Sequence, residues 1–380
     1  MTSKTKMRIL YYTGSLASGG AERQLIYTAL AAKDQGYEVV IVVDYPINHY
    51  EHMLENKGID VIYTNTTKKT PLKRYKCLMR IIEESKPDII HSFLSTKNLW
   101  AMLVGKRARV PIRIASIRNT DVESFRWIRL YSKWSEKIVC NSKLASDIAN
   151  EKYSIPKDKL EVVYNGIDLE RFSLPATNFD IRTEPGLDNQ TLLGVTVARF
   201  AEQKNHLGLV KALAVLHEKG ALNNFHYLLV GSNSDRAIFQ RVTEEIKTWG
   251  LEKKITYLGI RSDIPEIVQM CDFMVLPSHF EGFPNVVMEA MASKTFVIAT
   301  PVGGTPELVK DGVNGILTQS PNPEDLAVGI ERYLTMSGEE RQIFVDNAYE
   351  TIQDYSIEKM IDRVTDIYKA GFRAHKEEAT

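Results

Sequence analysis

At 380 residues the chain is longer than one ordinary hydrophobic core supports, so two domains are expected. Its 44% apolar and 25% charged content is that of a globular protein and excludes disordered and fibrous classes. The formal net charge of zero hides an asymmetry: residues 1–175 hold 28 Lys and Arg against 19 Asp and Glu, and residues 176–380 hold 20 against 29. The basic half reads either as solvated surface or as a face for something anionic, such as a membrane leaflet or a lipid phosphate. Cys77, Cys140 and Cys271 are far apart and form no CxxC pair, which points to free thiols in a reducing compartment. No signal peptide is visible, and no apolar run approaches the ~20 residues needed to span a bilayer. The expectation is a soluble cytoplasmic protein, compatible with a peripheral place on the inner face of the cell membrane.

Taken in chain order, Met7–Thr13, Glu38–Val43, Asp60–Tyr63, Asp88–Phe93, Arg113–Ile117, Lys137–Cys140 and Leu160–Val163 read as strands. Ala21–Gln35, Leu72–Glu84, Lys97–Arg107 and Lys143–Lys152 read as the helices between them. The alternation lapses over Leu174–Asn189, the best linker candidate, and resumes with strands at Thr191–Ala198, His226–Val230, Ile255–Leu258, Phe273–Leu276, Phe296–Ala299 and Ile316–Leu317. From Pro323 onward the pattern is helical only. Strand-helix alternation of this kind predicts α/β architecture: two tandem doubly wound parallel sheets, over residues 1–174 and 187–355, with ligands beyond the carboxyl ends of the strands and an interdomain cleft as the site.

Several stretches carry chemistry. The first strand runs into Gly14-Ser15-Leu16-Ala17-Ser18-Gly19-Gly20-Ala21-Glu22-Arg23, where the glycines serve either a phosphate or a tight turn. His91, at the end of its strand, is a candidate catalytic group or a satisfied structural histidine. Arg118 ends another strand and would bind an anionic group or pair with Asp121 or Glu123. Lys68–Arg80 forms a basic, amphipathic segment suited to an anionic membrane surface. Arg126–Trp134 interleaves cations with aromatics and could lie on the same kind of surface; Trp127 and Trp134, seven apart on one expected helix face, read instead as core.

The second half opens with Val197-Ala198-Arg199-Phe200-Ala201-Glu202-Gln203-Lys204, whose Arg199 and Lys204 suit a diphosphate, one as a fork and one as a point charge. Strands ending at Gly231 and at Gly259-Ile260-Arg261 would let a planar base lie on backbone, or are simply tight turns. Most informative is Glu281-Gly282-Phe283-Pro284-Asn285-Val286-Val287-Met288-Glu289. Gly282 permits close backbone approach, and Pro284 is a good first helical residue. The helix start presents free N–H groups and roughly +0.5 charge to a phosphate. The two glutamates offer acceptors to hydroxyls. A ligand with both chemistries is a nucleoside diphosphate sugar.

With Gly19-Gly20-Ala21-Glu22, Asn165-Gly166-Ile167-Asp168 and Phe172, Arg199, Lys204 and Glu281-x7-Glu289 together, the chain resembles the retaining family 4 glycosyltransferases of GT-B fold over nearly its whole length. The resemblance implies transfer of a sugar, UDP-linked by preference, with retention at the anomeric carbon. It implies that Arg199 and Lys204 hold the diphosphate, that Glu281 and the Gly282, Phe283, Pro284, Asn285 backbone grip the donor sugar and distal phosphate, and that Glu289 accepts from the ribose. It implies that a last helix, roughly Ile357–Phe372 within 356–380, crosses back onto the first domain. Many relatives carry a histidine where this chain has Arg118, so that histidine's role does not carry over. The acceptor is expected to be a glycan or a lipid-linked glycan in cell-surface polysaccharide synthesis. No DxD pair is present, so no cofactor and no divalent metal are expected, and no nucleic-acid module accompanies the basic stretch. The alternatives are a sugar-nucleotide 2-epimerase and a nucleotide-sugar-binding protein without chemistry.

Overall fold

The alternation of strands and helices becomes two parallel sheets in the computed structural model, which describes residues 7–17, 19–47, 49–67, 69–173, 181–183, 187–188 and 190–378. The first unit comprises 1–166 together with 357–380, and the second 167–356. The division thus falls at 166/167 rather than within 174–187, and most of the expected linker, at 174–180, 184–186 and 189, lies outside the described residues.

In the first unit, β1 (Arg8–Thr13), β2 (Glu38–Val43), β3 (Asp60–Tyr63), β4 (Ile89–Phe93), β5 (Ile112–Ile117), β6 (Lys137–Cys140) and β7 (Leu160–Val162) assemble in the order β3-β2-β1-β4-β5-β6-β7. Both faces are buried because successive side chains point to opposite sides. Ile9, Tyr11, Ile41 and Ile89 meet Met360, Val364 and Tyr368 of the last helix, Ile357–Glu378. Leu10, Tyr12, Val42 and Ile90 meet Leu78, Met102 and Tyr131 on the other face. The C-terminal helix is therefore part of the first unit's core.

One polar cluster lies under the second face. Asp44, fully buried, accepts on Oδ1 from Tyr12 (2.9 Å), Thr64 (2.8 Å) and Thr66 (3.0 Å). Its Oδ2 takes Arg74 at 3.0 Å and Lys97. A buried carboxylate is tolerated when its lone pairs are taken by donors in this way.

In the second unit, β8 (Leu192–Val197), β9 (Phe225–Val230), β10 (Ile255–Gly259), β11 (Phe273–Leu276), β12 (Phe296–Ala299) and β13 (Ile316–Leu317) run in the order β10-β9-β8-β11-β12-β13. Gly194 in β8 is required by packing, since a Cβ there would sit 2.6 Å from the Tyr227 ring and 2.7 Å from Phe273. In each unit the strand order reverses beside the first strand: between β1 and β4, and between β8 and β11. Open α/β sheets bind ligands beyond the carboxyl ends of the strands at such a point.

Candidate active site

The loops after β8 and β11 flank the second unit's switch point, and side chains zip them together. After β8, Arg199 faces solvent, while Phe200 is buried and stacks on His206 with ring centroids 4.2 Å apart. A single 3-10 turn, Glu202–Lys204, then meets Asn205 at φ 51°. Asn tolerates the left-handed region, and its short side chain caps helices. Here Oδ1 accepts from Gly208 N (3.1 Å) at the start of the helix His206–Glu218, while Nδ2 donates to Pro277 O (3.0 Å) and Pro321 O (2.8 Å). Gln203 O accepts from His279 N (2.8 Å), and Gln203 Nε2 donates to Phe280 O (2.7 Å). Between these ties Lys204 Nζ reaches Glu281 Oε1 at 2.6 Å.

The β11 loop is held from its other side by Gly303. Its φ is +57°, and a Cβ there would fall 2.0 Å from Glu281 O. Gly304 N donates to Gly282 O at 2.6 Å. The chain then enters the helix Asn285–Ala292, with Pro284 as its N-cap at φ −80°, ψ 105°. Pro284 was expected inside the helix. Its extended ψ places it one residue outside, and its carbonyl accepts from Val287 N and Met288 N. Glu281 and Glu289 are both buried, at 7% and 4% exposure, on the loop and the helix that follow β11.

Beside this loop pair, Gly231 follows β9 at φ +143°, and a Cβ would come within 2.2 Å of Ala198 O. Gly231 N donates to Gly259 O (2.8 Å), and Tyr257 OH donates to Gly231 O (2.9 Å). Ile260, next along, is 72% exposed, an apolar tip beyond a backbone floor. Arg261 forms a fork onto Asp263 (2.8 and 2.7 Å). The second unit therefore gathers Arg199, Lys204, Gly231, Ile260, Glu281, Gly282, Phe283, Pro284, Asn285 and Glu289 at strand carboxyl ends and the loops that follow. Asn205, Gln203 and Gly303 hold these loops in place and were not singled out from the sequence. The left-handed tolerance of Asn205 and the Gly303-Gly304 pair were the available signals.

The remaining candidates lie in the first unit. Gly19 is the N-cap of the helix Gly20–Asp34, and a Cβ on it would fall 2.0 Å from Glu22 Oε2, so a carboxylate of the same helix lies over the glycine turn. His91 does not reach solvent, at 1% exposure. Its Nδ1 contacts Tyr368 OH (2.6 Å) and its Nε2 contacts Ser116 Oγ (2.7 Å). Tyr368 donates on to Tyr11 (3.1 Å) and Tyr11 to Thr28 O (3.5 Å), a chain that assigns the ring proton to Nδ1. Burial, with Arg118 nearby, pushes the imidazole down to about 3. His91 is thus a neutral structural group tying the last helix to the sheet, and the catalytic expectation for it is corrected.

Arg118 pairs with neither Asp121 nor Glu123. Asp121 caps Ser124 N (2.7 Å), and Glu123 pairs with Arg126. The Arg118 guanidinium instead donates to Asn165 Oδ1 (2.6 Å) and lies over the Phe93 ring (5.5 Å). Burial lowers it to about 10, so it stays charged at neutral pH.

Two surface expectations also change. Of Lys68–Arg80, Lys68 lies outside the described residues, and Arg74 turns inward to Asp44, leaving Lys69, Lys73, Lys76 and Arg80 exposed. Trp127 and Trp134 share no helix, because the chain breaks into Val122–Phe125 and Ile128–Tyr131. Trp127 sits between them at φ 76° and is 45% exposed rather than core. No helix among the described residues is long and apolar enough to cross a membrane.

Two family models match the chain. The model for glycosyltransferase family 4 covers residues 18–171, and that for glycosyl transferases group 1 covers residues 178–351. The chain is 24% identical over 310 residues to the UDP-Gal:alpha-D-GlcNAc-diphosphoundecaprenol alpha-1,3-galactosyltransferase of Escherichia coli, covering 78% of this chain and 79% of that one. It is 26% identical over 359 residues to the N,N'-diacetylbacillosaminyl-diphospho-undecaprenol alpha-1,3-N-acetylgalactosaminyltransferase of Campylobacter jejuni, covering 86% and 89%. Among solved structures, a glycosyltransferase from Rickettsia africae superposes with TM-score 0.84 at 25% identity over 97% of this chain and 99% of that one. Anabaena HepE, crystallised with UDP and glucose, superposes with TM-score 0.84 at 21% identity over 96% and 100%, a likeness of fold. The two family models together span both units, and the chain belongs to the family 4 glycosyltransferases, with the GT-B fold.

Proposed function

We propose that this glycosyltransferase moves a sugar from a nucleoside diphosphate sugar, UDP-linked, onto a lipid-diphosphate-linked glycan, with retention and without a divalent metal. One observation carries the donor side: Lys204 meets Glu281 at the switch point of the second sheet, on loops tied by Gln203 and Asn205, with Arg199 exposed on the loop that carries Lys204. A departing nucleoside diphosphate develops negative charge, and cations already in place stabilise that charge more in the transition state than before it. Arg199, which makes no hydrogen bond or ion pair among the described residues, supplies a guanidinium. Lys204 is shared: the ammonium that holds Glu281 has further N–H donors for a phosphate oxygen. Once the diphosphate draws on Lys204, Glu281 accepts sugar hydroxyls. Glu289 takes the ribose, and Ile260 with Gly231 underlies the base.

The acceptor class is supported by the named acceptors of the two relatives, both diphosphoundecaprenol-linked saccharides. A bilayer-facing surface on the first unit is consistent with it. Val122 (73% exposed), Trp127 and Leu130 stand out beside exposed Arg126, Arg129 and Lys133, the apolar-and-cationic mixture that partitions into an anionic interface. This segment, rather than Lys68–Arg80 alone, is the membrane contact in our reading.

The test is product analysis. The protein is incubated with a panel of UDP- and GDP-sugars and polyprenyl-diphosphate saccharides, and product anomers are read by NMR. Release of UDP with an α-linked product from an α-linked donor is expected. An epimerised donor without transfer, or tight binding without turnover, would replace this proposal with one of its alternatives.

A further inference from the structure

We propose, resting on the acceptor class given above, that Arg118 receives the diphosphate of the lipid-linked acceptor and so sets which acceptors this glycosyltransferase takes. Arg118 directly follows β5, at the carboxyl end of the first sheet, where open α/β sheets bind ligands. Its guanidinium lies along that edge. It sits over the ring of Phe93 at the end of β4 (5.5 Å), and Nη2 donates to Asn165 Oδ1 beyond the end of β7 (2.6 Å). Asn141, which follows β6, donates from Nδ2 to Arg118 O at 3.0 Å and fixes the backbone there. Phe93, Asn141 and Asn165 are all buried, so the cation is mounted on groups that are themselves packed.

What this cation lacks is a counter-charge. Arg74 and Lys97 turn inward and close on Asp44, and Arg113 closes on Glu136. Arg118 makes no ion pair among the described residues, and its side-chain hydrogen bond goes to a neutral amide. Glu22 acts on it only from beyond ion-pair reach. Burial lowers the guanidinium to about 10, so it is charged at neutral pH all the same. A cation drawn out of water without a counter-charge is costly, and an incoming anion removes that cost. The residue is half-buried rather than sealed. Its Nε is buried without a partner, whereas Nη1, which also has none, is not closed off and is open to a ligand.

The chemistry selects a phosphate oxygen. A guanidinium is planar, keeps its charge and offers parallel N–H donors that match a phosphate. The second unit has Arg199 and Lys204 for the diphosphate of the donor, so the phosphate left for Arg118 is that of the acceptor. One fixed cation of this kind discriminates a diphosphate-linked saccharide from the same saccharide without its phosphates, since only the first fills the unpaired site.

The test titrates the full-length protein, saturated with UDP, by calorimetry with farnesyl-diphosphate-linked N-acetylglucosamine and, separately, with octyl N-acetylglucosaminide, which carries no phosphate. UDP engages Arg199 and Lys204, so the second diphosphate is read apart from the first. Arg118→Gln keeps a donor for Asn165 and removes the charge. It should weaken the diphosphate ligand about tenfold or more, with the octyl glycoside and UDP held at parent affinity. Arg118→Lys, which keeps the charge without the fork, should fall between the two. Removing an unpaired cation should leave the melting temperature unchanged or higher, whereas a purely structural arginine would lower it. The proposal is overturned if the parent does not bind the diphosphate ligand, if Arg118→Gln binds it as the parent does, if both saccharide ligands weaken equally, or if UDP weakens instead, which would assign Arg118 to the donor. Binding needs no turnover. Arg118-dependent binding without transfer would strike the proposed reaction and keep this site, and transfer with Arg118-independent binding would do the reverse.

Discussion

The two sheets share one winding plan and differ in what stands at the point where it reverses. In the second unit the reversal between β8 and β11 presents Arg199 to solvent and brings Lys204 to Glu281. In the first unit a group of charges near the reversal between β1 and β4 faces inward. Arg74 and Lys97 close on the buried Asp44, and His91 spends both ring nitrogens on Ser116 and Tyr368. One topology thus holds a buried ion cluster in one copy and, in the other, an exposed arginine with a Lys204–Glu281 pair, the set that the proposed function assigns to a ligand. Winding tells where to look, and side-chain direction tells what is there.

The contrast can be broken from either side. The largest effect is expected in the first unit: Asp44→Ala leaves two buried cations without their carboxylate and should cost about 3–5 kcal/mol of stability, read as a lowered urea midpoint. An unchanged midpoint would mean the cluster is solvated. In the second unit, Arg199→Ala or Lys204→Ala should lower turnover by about 10²–10³, near 3–4 kcal/mol, with the melting temperature kept. Turnover within twofold of the parent would remove their assigned role.

A smaller effect belongs to both units. Burial holds His91 at about 3 and His206 at about 4, below the ordinary value near 6.5. Between those values the unfolded chain binds protons that the native chain refuses. Stability is therefore full above about pH 6.5 and falls as pH drops, by about 2–4 kcal/mol at pH 5. Denaturant midpoints at pH 7.5 and 5.0 check this, and equal midpoints would contradict it. The smallest expected effect is none: EDTA should leave transfer intact, and its abolition would show a metal requirement.

Most of the strand and helix pattern was legible in the sequence, because parallel strands buried on both faces read as short apolar runs between amphipathic helices. The placement of Arg199, Lys204 and Glu281 on loops after strands of the second sheet was legible because each follows a short apolar run that forms a strand. What stayed hidden depends on partners distant in sequence. The hydrogen bond that makes His91 structural comes from Tyr368, 277 residues away. Arg74 belongs to a basic run by composition, yet Asp44, thirty positions earlier, draws it inward. The spacing of Trp127 and Trp134 predicts one helix face, but the positive φ at Trp127 breaks that helix. The ties that aim Lys204 are made largely by side chains onto backbone carbonyls, for which Gln203 and Asn205 carry only a weak local signal.

The central claim is that the second unit alone supplies the charges that hold a nucleoside diphosphate. Calorimetric titration of UDP into the parent, Arg199→Ala, Lys204→Ala and Lys97→Met proteins tests it most directly. Binding should be at least tenfold weaker in the first two variants and parent-like in folded Lys97→Met. Parent-like affinity in both Arg199→Ala and Lys204→Ala, or loss of UDP binding in a folded Lys97→Met, would contradict it.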